Sequence, residues 1–371
     1  MLISEVRHQD DAVRLIQQAL FADRLPHAYI FHGPDGVGKE SLAGALAGVL
    51  LCADPVTTST AAGERRLDAC GTCQECRLLA AGNHPDLHLI YRQLNQYHKE
   101  PEVRRRKAID LGVDVIRQFV VDKVGAKPQR GRAKVFLIRE ADRITPQAQN
   151  ALLKTLEEPP QTTFLILLVA SLNLMLPTIR SRCHLTPFGI LPTEFIADRL
   201  AELLPELPAG RAQLCARFAE GSLGRALQHA EDALDEHNQR VVRTLVELPR
   251  RKTAEVASAL EEEARALGAR YSARDREISD TEALRRGLKT VLGLAAMWYR
   301  DLLHLAAGSA EPVANVSHAD ELRSAADGTT LGRTVAAISQ LARTEEQLDA
   351  NVNTRLSLDA LAIRLGRLAV A

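Results

Sequence analysis

The chain has 371 residues, enough for two or three domains and for a core that needs no disulfide staples. Lys plus Arg number 47 and Asp plus Glu number 47, so the basic excess usual in a chain that grips DNA on its own is missing. No stretch approaches the ~20 apolar residues of a membrane span: the best run, 164–177, is shorter and carries Ser171 and Asn173. The opening MLISEVRHQDD has no basic stretch leading into an apolar one, so the expectation is a soluble, cytoplasmic protein with no secretory signal and no membrane partner.

Apolar residues Val13, Ile16, Leu20 and Phe21 recur at helical spacing and predict a helix over 10–24. HAYIFHG is a short apolar run ended by Gly33, and LAGALAGVLLC over 42–52 reads as a helix. Runs of strand length come next at 87–91 (LHLIY), 134–138 (KVFLI) and 164–170 (FLILLVA), with helical patterns at 113–124 and 146–157. Continuous apolar strands alternating with helices indicate a parallel sheet covered on both faces. Beyond Phe188 the strand signals stop. Residues 193–246 read as short helices broken by Pro205, Pro208 and Gly221, and long helical patterns run from about 250 to the end. One face there carries Leu284, Leu288, Val291, Leu292, Ala295, Tyr299 and Leu302, while 308–330 reads as a loop-like interruption. The fold class is therefore α/β plus all-α, with an α/β domain over 1–188 and helical domains over 189–247 and 248–371.

Gly33-Pro34-Asp35-Gly36-Val37-Gly38-Lys39 fits the phosphate-loop pattern G-x-x-x-x-G-K between a predicted strand and a predicted helix. Gly33, Gly36 and Gly38 let backbone amides converge on phosphate oxygens, and Lys39 supplies positive charge. Position 40 breaks the pattern. A working loop has Ser or Thr there to ligate Mg²⁺, whereas this chain has Glu40, and Ser41 lies about 100° further round the helix. The second acidic element is altered too: after KVFLI comes Arg139-Glu140-Ala141-Asp142, with a cation where the metal's carboxylate is expected. Glu140 stands in the water-activating place, or in a shifted register would itself be the metal ligand. The loop is expected to be a poor ATP site.

Six cysteines are too few for a disulfide scaffold in a chain this long, and they are clustered. Cys70, Cys73 and Cys76 stand in CGTCQEC with Cys52 upstream, while Cys183 and Cys215 lie apart. Four thiolates suit Zn²⁺ in a closed structural site, and His84 is the alternative to Cys52 as fourth ligand. A ferredoxin-type iron–sulfur run would need a further Cys followed by Pro where Ala80 and Ala81 stand.

Taken together, LPHAYIFHGPDGVGK (25–39), the clustered cysteines, NHPDLH, the segment from Val113 through IRQ, QNALLKTLEEPP (149–160) and Ser181-Arg182-Cys183 resemble the bacterial clamp-loader subunits of DNA polymerase III, in the AAA+ family. GSLGRAL (221–227) is similar to that family's second-sensor segment and NVNTRLSLDALAIRL (351–365) to its last collar helix. The resemblance implies a P-loop domain with a zinc-binding insertion over 1–188, a helical lid over 189–247 and an oligomerising collar over 248–371. Within the family the delta-prime group often has damaged ATP motifs and retains Ser-Arg-Cys, and Glu40 and Arg139 make this chain look like that group.

The same resemblance implies a stator-like part in a heteropentamer with motor (gamma/tau) and delta subunits. That assembly would load the sliding clamp onto primer-template DNA for the DNA-directed DNA polymerase holoenzyme, in the nucleoid-associated replisome. Arg182 would be an arginine finger reaching a neighbour's ATP, Arg225 would match the second-sensor arginine, and Ser171 is nearest the γ-phosphate sensor position. Arg104-Arg105-Arg106-Lys107 resembles a phosphate contact, with a solvated loop as the alternative. Trp298 and Tyr299 read as packing residues of the collar. Two other functions compete: an ATP-hydrolysing motor subunit, and a phosphotransferase with a zinc-stapled lid. The first predicts Mg²⁺-dependent hydrolysis abolished by Lys39→Ala, and the second leaves the long helical C-terminus without a purpose.

Overall fold

Aliphatic side chains on successive residues suit a strand buried on both faces, and the apolar runs of the first half do build one sheet. In the computed structural model, residues 2–59, 65–275, 277–309, 313–350 and 352–370 are described. They fall into two compact units, Met1–Leu191 and Pro192–Ala371.

The first unit holds β1 (Ala28–His32), β4 (Leu87–Ile90), β5 (Lys134–Ile138), β6 (Thr163–Val169) and β7 (His184–Pro187) in one sheet, and β2 (Val56–Ser59) and β3 (Arg65–Asp68) in a separate hairpin. The sheet order is β4-β5-β6-β1-β7 and every pairing is parallel. The register sets Ile30 beside Leu167 and Leu137 beside Ile166, and Ile30, Phe136, Leu165 and Leu167 are fully buried. Strand β7 has no counterpart among the apolar runs. It is short, and Thr186 is its one fully buried residue, so it carries no pattern to read. The hairpin lies between Cys52 and Cys70, and residues 60–64 lie outside the described residues.

Helices α1 (Asp10–Phe21), α2 (Lys39–Leu51), α3 (Gln74–Ala80), α4 (Pro101–Arg104), α5 (Val113–Ile116), α6 (Asp122–Val124), α7 (Pro146–Glu157) and α8 (Pro177–Arg180) complete this unit. The helix expected over 113–124 is present, but a π-turn at Arg117–Val121 joins α5 to α6. Helix α7 is well specified: Pro146 sits in its first turn and Thr145 Oγ1 accepts a bond from the Ala148 N–H at 3.3 Å. Its apolar face, Ala148, Leu152 and Leu156, packs in one core with Met175 just before α8 and Ile179 within it.

The second unit is helical: α9 (Thr193–Leu203), α10 (Ala209–Phe218), α11 (Leu223–Glu231), α12 (Leu234–Val246), α13 (Thr253–Arg274), α14 (Asp280–Ala306), α15 (Ala319–Asp327), α16 (Leu331–Asp349) and α17 (Thr354–Val370). The loop-like reading of 308–330 needs correction, because a 3-10 turn (Val316–His318) and α15 occupy its second half. One buried leucine, Leu322, is all that anchors α15, too little periodicity to show in sequence. Residues 310–312 lie outside the described residues. Asp301, buried on α14, accepts bonds from the Ala314 and Asn315 N–H groups and from Asn315 Nδ2, and so ties the segment after α14 back onto it. Trp298 is buried and Tyr299 half-buried on α14, in keeping with packing roles. Among the described residues no helix is long and apolar enough to cross a membrane.

Helices α13 and α14 cross closely because small residues face each other. A Cβ on Gly287 would come within 2.0 Å of the Ala264 carbonyl oxygen, and one on Gly268 within 2.8 Å of the Ala283 carbonyl oxygen. No side-chain rotation relieves a backbone clash, so the two helices must separate and lose their packing. Gly287→Val is expected to destabilise the second unit by about 3 kcal/mol or more, read as a drop in denaturation midpoint. An unchanged midpoint would show that the crossing is loose.

Candidate functional site

The phosphate loop leaves the carboxyl end of β1, where ligands of open parallel sheets bind. Its departure is fixed by backbone bonds: Gly33 N–H donates to Val169 O at 3.2 Å and Phe188 N–H to His32 O at 2.8 Å. Gly33, Gly36 and Gly38 all have left-handed φ values, +145°, +72° and +105°. At Gly33 a Cβ would also lie 2.2 Å from the Phe188 carbonyl oxygen, so the turn demands glycine twice over. Helix α2 starts at Lys39, whose side chain is almost completely buried and folds back on the loop. Its Nζ donates to Gly33 O, to Pro34 O at 2.7 Å and to Asp35 at 3.3 Å. Burial pulls the Lys39 pKa below the usual lysine range, against the opposing charge of Asp35. Burial and the positive charges of Lys39 and Arg180 likewise lower His32.

A buried residue that sequence reading passes over holds the loop's other side. Gln9 Nε2 donates to Val37 O at 3.1 Å and to Gly189 O at 2.8 Å, and Gln9 Oε1 accepts from Gly189 N–H at 3.0 Å. A glutamine at the edge of a polar segment gives no motif signal, because its partners lie far along the chain.

The two departures from the ATP motifs meet in space. Arg139, just past the end of β5, ion-pairs through Nη2 with Glu40, in the first turn of α2. In a working site a loop hydroxyl and a strand carboxylate at these two places share a divalent cation. Here a guanidinium and a carboxylate join the same two elements directly. The helix N-terminus favours the carboxylate, while a fixed positive charge in this position repels Mg²⁺. Both side chains are partly exposed, so the pair itself is worth only about 0–1 kcal/mol; its consequence is for the site rather than for stability.

Glu140, the water-activating candidate, is also engaged. It adopts φ +47° and accepts from Arg92 Nε at 2.7 Å, with Arg143 Nε 3.6 Å away. Arg92 is nearly buried and also donates to Ala108 O at 2.8 Å, so the glutamate is engaged by a well-supported cation. After Asp35, Asp142 is a second acidic group whose charge acts on Lys39, and its Oδ2 accepts from Ala170 N–H at 3.3 Å. Ser171 lies one residue beyond at the end of β6, half-buried.

The four expected cysteines converge. Cys52 ends α2, Cys70 follows β3, Cys73 caps α3 and Cys76 lies within it. Their sulfurs all lie within 4.8 Å of one another, with Cys52–Cys70 3.5 Å, Cys52–Cys76 3.6 Å, Cys52–Cys73 3.9 Å and Cys70–Cys76 4.0 Å. A tetrahedron with ~2.3 Å metal–sulfur bonds has edges of about 3.8 Å, so the donor set fits a four-coordinate metal. N–H donors from Cys73 and Thr72 pull the Cys70 thiol down to about 6, while burial pushes Cys76 up to about 12. His84 is not part of this group. It is buried with Nε2 3.0 Å from Glu75 and Nδ1 accepting from Asp86 N–H at 3.1 Å, so it is Cys52, not His84, that the fold brings to the other three cysteines. Glu75 also pairs with Arg130 at 3.1 Å, and Asp86 accepts three backbone N–H bonds from Gln129, Arg130 and Gly131. The knuckle is thus fastened to the edge of the sheet.

Arg182 lies just after α8. Its guanidinium contacts Glu157 Oε1 at 2.7 Å, Thr178 O at 2.9 Å and Ser181 Oγ at 3.4 Å, and about a third of the side chain is exposed. Cys183 next to it is anchored in the core, and burial raises its thiol to about 12. In the second unit Arg225, in the first turn of α11, pairs with Glu220 at 3.3 Å. The basic run is exposed, and Arg106 pairs with Asp114 at 2.9 Å.

A parallel five-stranded sheet with a glycine loop at the carboxyl end of β1, a four-cysteine knuckle and an added helical unit defines a P-loop domain of AAA+ type. Residues 8–191 match the family model described as DNA polymerase III, delta subunit, and over these residues the chain belongs to that family. It is 36% identical over 211 residues to the DNA polymerase III subunit delta' of Pseudomonas aeruginosa, covering 56% of this chain and 58% of the relative. It is 29% identical over 244 residues to the delta' subunit of Bacillus subtilis, covering 66% of each. It is also 33% identical over 235 residues to the tau subunit of Escherichia coli, covering 62% of this chain and 33% of that protein. The chain therefore spans between one third and two thirds of the length of these relatives.

Proposed function

We propose that this chain is a delta-prime-type stator of the DNA polymerase III clamp loader. It would hydrolyse no ATP itself and would donate Arg182 to the ATP site of a motor neighbour. Relatives named delta' and tau both match this chain, so the choice between stator and motor rests on side chains. The observation that carries it is the Glu40–Arg139 ion pair, placed between the two elements that share Mg²⁺ in a working site, with Glu140 held by Arg92. The P-loop frame survives and its metal chemistry does not.

Under this reading Arg182 supplies what an arginine finger supplies. A guanidinium placed in trans neutralises charge developing on the transferred phosphoryl group, so the neighbour hydrolyses well only when assembled. Cys52, Cys70, Cys73 and Cys76 would hold Zn²⁺, a structural cross-link between α2, β3 and α3. The helices of 189–247 would form the lid and those of 248–371 the collar joining gamma/tau and delta subunits in a heteropentamer. The complex would act on the sliding clamp and primer-template DNA at the cytoplasmic replisome. Arg225 would be a remnant of the second sensor.

The intact glycines and Lys39, with the tau match, favour the second reading, a motor subunit. One assay separates the two. The isolated chain with ATP and Mg²⁺ is expected to show no hydrolysis above background. Brisk Mg²⁺-dependent turnover that disappears in Lys39→Ala would overturn the stator reading.

A further inference from the structure

We infer that Glu157 is a positioning residue for Arg182, holding its guanidinium in the orientation from which it reaches a neighbouring subunit's phosphates. The inference rests on the reading of Arg182 as a trans arginine finger. An unheld arginine loses ~2 kcal/mol of rotamer entropy when it engages a ligand, and a misplaced catalytic group forfeits rate steeply. Arg182 is not unheld. Its guanidinium is gripped by the Glu157 carboxylate at 2.7 Å, the Thr178 carbonyl at 2.9 Å and the Ser181 hydroxyl at 3.4 Å.

The grip has a rigid base. Glu157 is the last residue of α7 and Thr178 lies in α8, and the apolar faces of these helices share one core. Gln149, buried on α7, braces the intervening loop: its Nε2 donates to Ile144 O at 3.0 Å and Leu174 O at 3.1 Å, and its Oε1 accepts from Leu176 N–H at 2.8 Å. Cys183, packed into that core, fixes the chain on the other side of Arg182. The backbone around the arginine is therefore set, and Glu157 fixes the side chain. About a third of the Arg182 side chain stays exposed, as a group that must meet a partner requires.

The test is ATP hydrolysis by the reconstituted clamp-loader complex with clamp and primed DNA. Glu157→Ala is expected to lower turnover at the one ATP site that Arg182 faces about fivefold, which is ~1 kcal/mol, with KM for ATP unchanged. Glu157→Gln keeps an acceptor oxygen and is expected to recover most of the rate. In an Arg182→Ala background, Glu157→Ala should cost nothing more, because its effect passes through the arginine. Full activity of Glu157→Ala, or an equal loss with and without Arg182, would overturn the inference. Full activity of Arg182→Ala would instead overturn the underlying finger reading.

Discussion

Arg182→Ala is expected to leave the fold and the assembly of the complex intact while nearly silencing the ATP site that Arg182 faces. The guanidinium is partly exposed and its ion pair with Glu157 is of the surface kind, so its removal costs the free chain only about 0–1 kcal/mol. At a phosphoryl-transfer site the same group counts for far more. Arginine fingers contribute on the order of 10³-fold or more to turnover, because they act on charge that develops in the transition state. Clamp- and DNA-stimulated hydrolysis of the reconstituted complex should therefore fall by the share of that one site, with KM at the remaining sites unaltered. Gel filtration establishes assembly and steady-state hydrolysis reads the rate. Unchanged hydrolysis in an intact complex would sink the finger assignment. Arg182→Lys is expected to recover little, since an ammonium cannot make the planar two-point contact.

Removing metal from the cysteine knuckle should have the largest effect on stability. Purified protein is expected to contain about one zinc per chain, and a structural thiolate site of this kind binds its ion with an apparent ~10–16 kcal/mol at neutral pH. That exceeds or equals the whole stability of a typical domain. The consequence is concentrated in the segment the four cysteines tie together, the end of α2, the β2–β3 hairpin and α3. Its own apolar burial is small: β2 is exposed throughout, and the cluster around the cysteines adds only Ala69 and partly buried Leu2. Strong chelation, or Cys73→Ser, is expected to lose protection from hydrogen exchange over 52–80 and to lower the melting temperature. The sheet core around Ile30, Phe136 and Leu165 should persist, since it has its own buried apolar contacts. Metal-free protein, freshly purified, with an unchanged melting temperature would remove the zinc assignment.

Much of this architecture is legible from local pattern. Lys134–Ile138 and Pro146–Glu157 fall at their predicted bounds because a run of five apolar-strand residues, or a proline-started amphipathic turn, is a property of neighbouring residues alone. The glycine loop and the cysteine spacing are equally local, so the phosphate-loop frame and the metal-binding donors can be named before any fold is known. Strand β7 and helix α15 escape for the complementary reason: each buries a single residue fully, and their existence depends on what they pack against.

Sequence by itself named the P-loop frame, the candidate donor cysteines and the departures from the Mg²⁺-binding pattern at positions 40 and 139. Only the tertiary structure decided that Glu40 and Arg139 neutralise each other, that Cys52 rather than His84 joins the other three cysteines, that Arg92 takes Glu140, and that Glu157 pairs with Arg182. The physical reason is separation along the chain. Helix and strand periodicities reflect residues a few positions apart, whereas each of these pairings joins side chains from separate elements that meet only once the chain has folded.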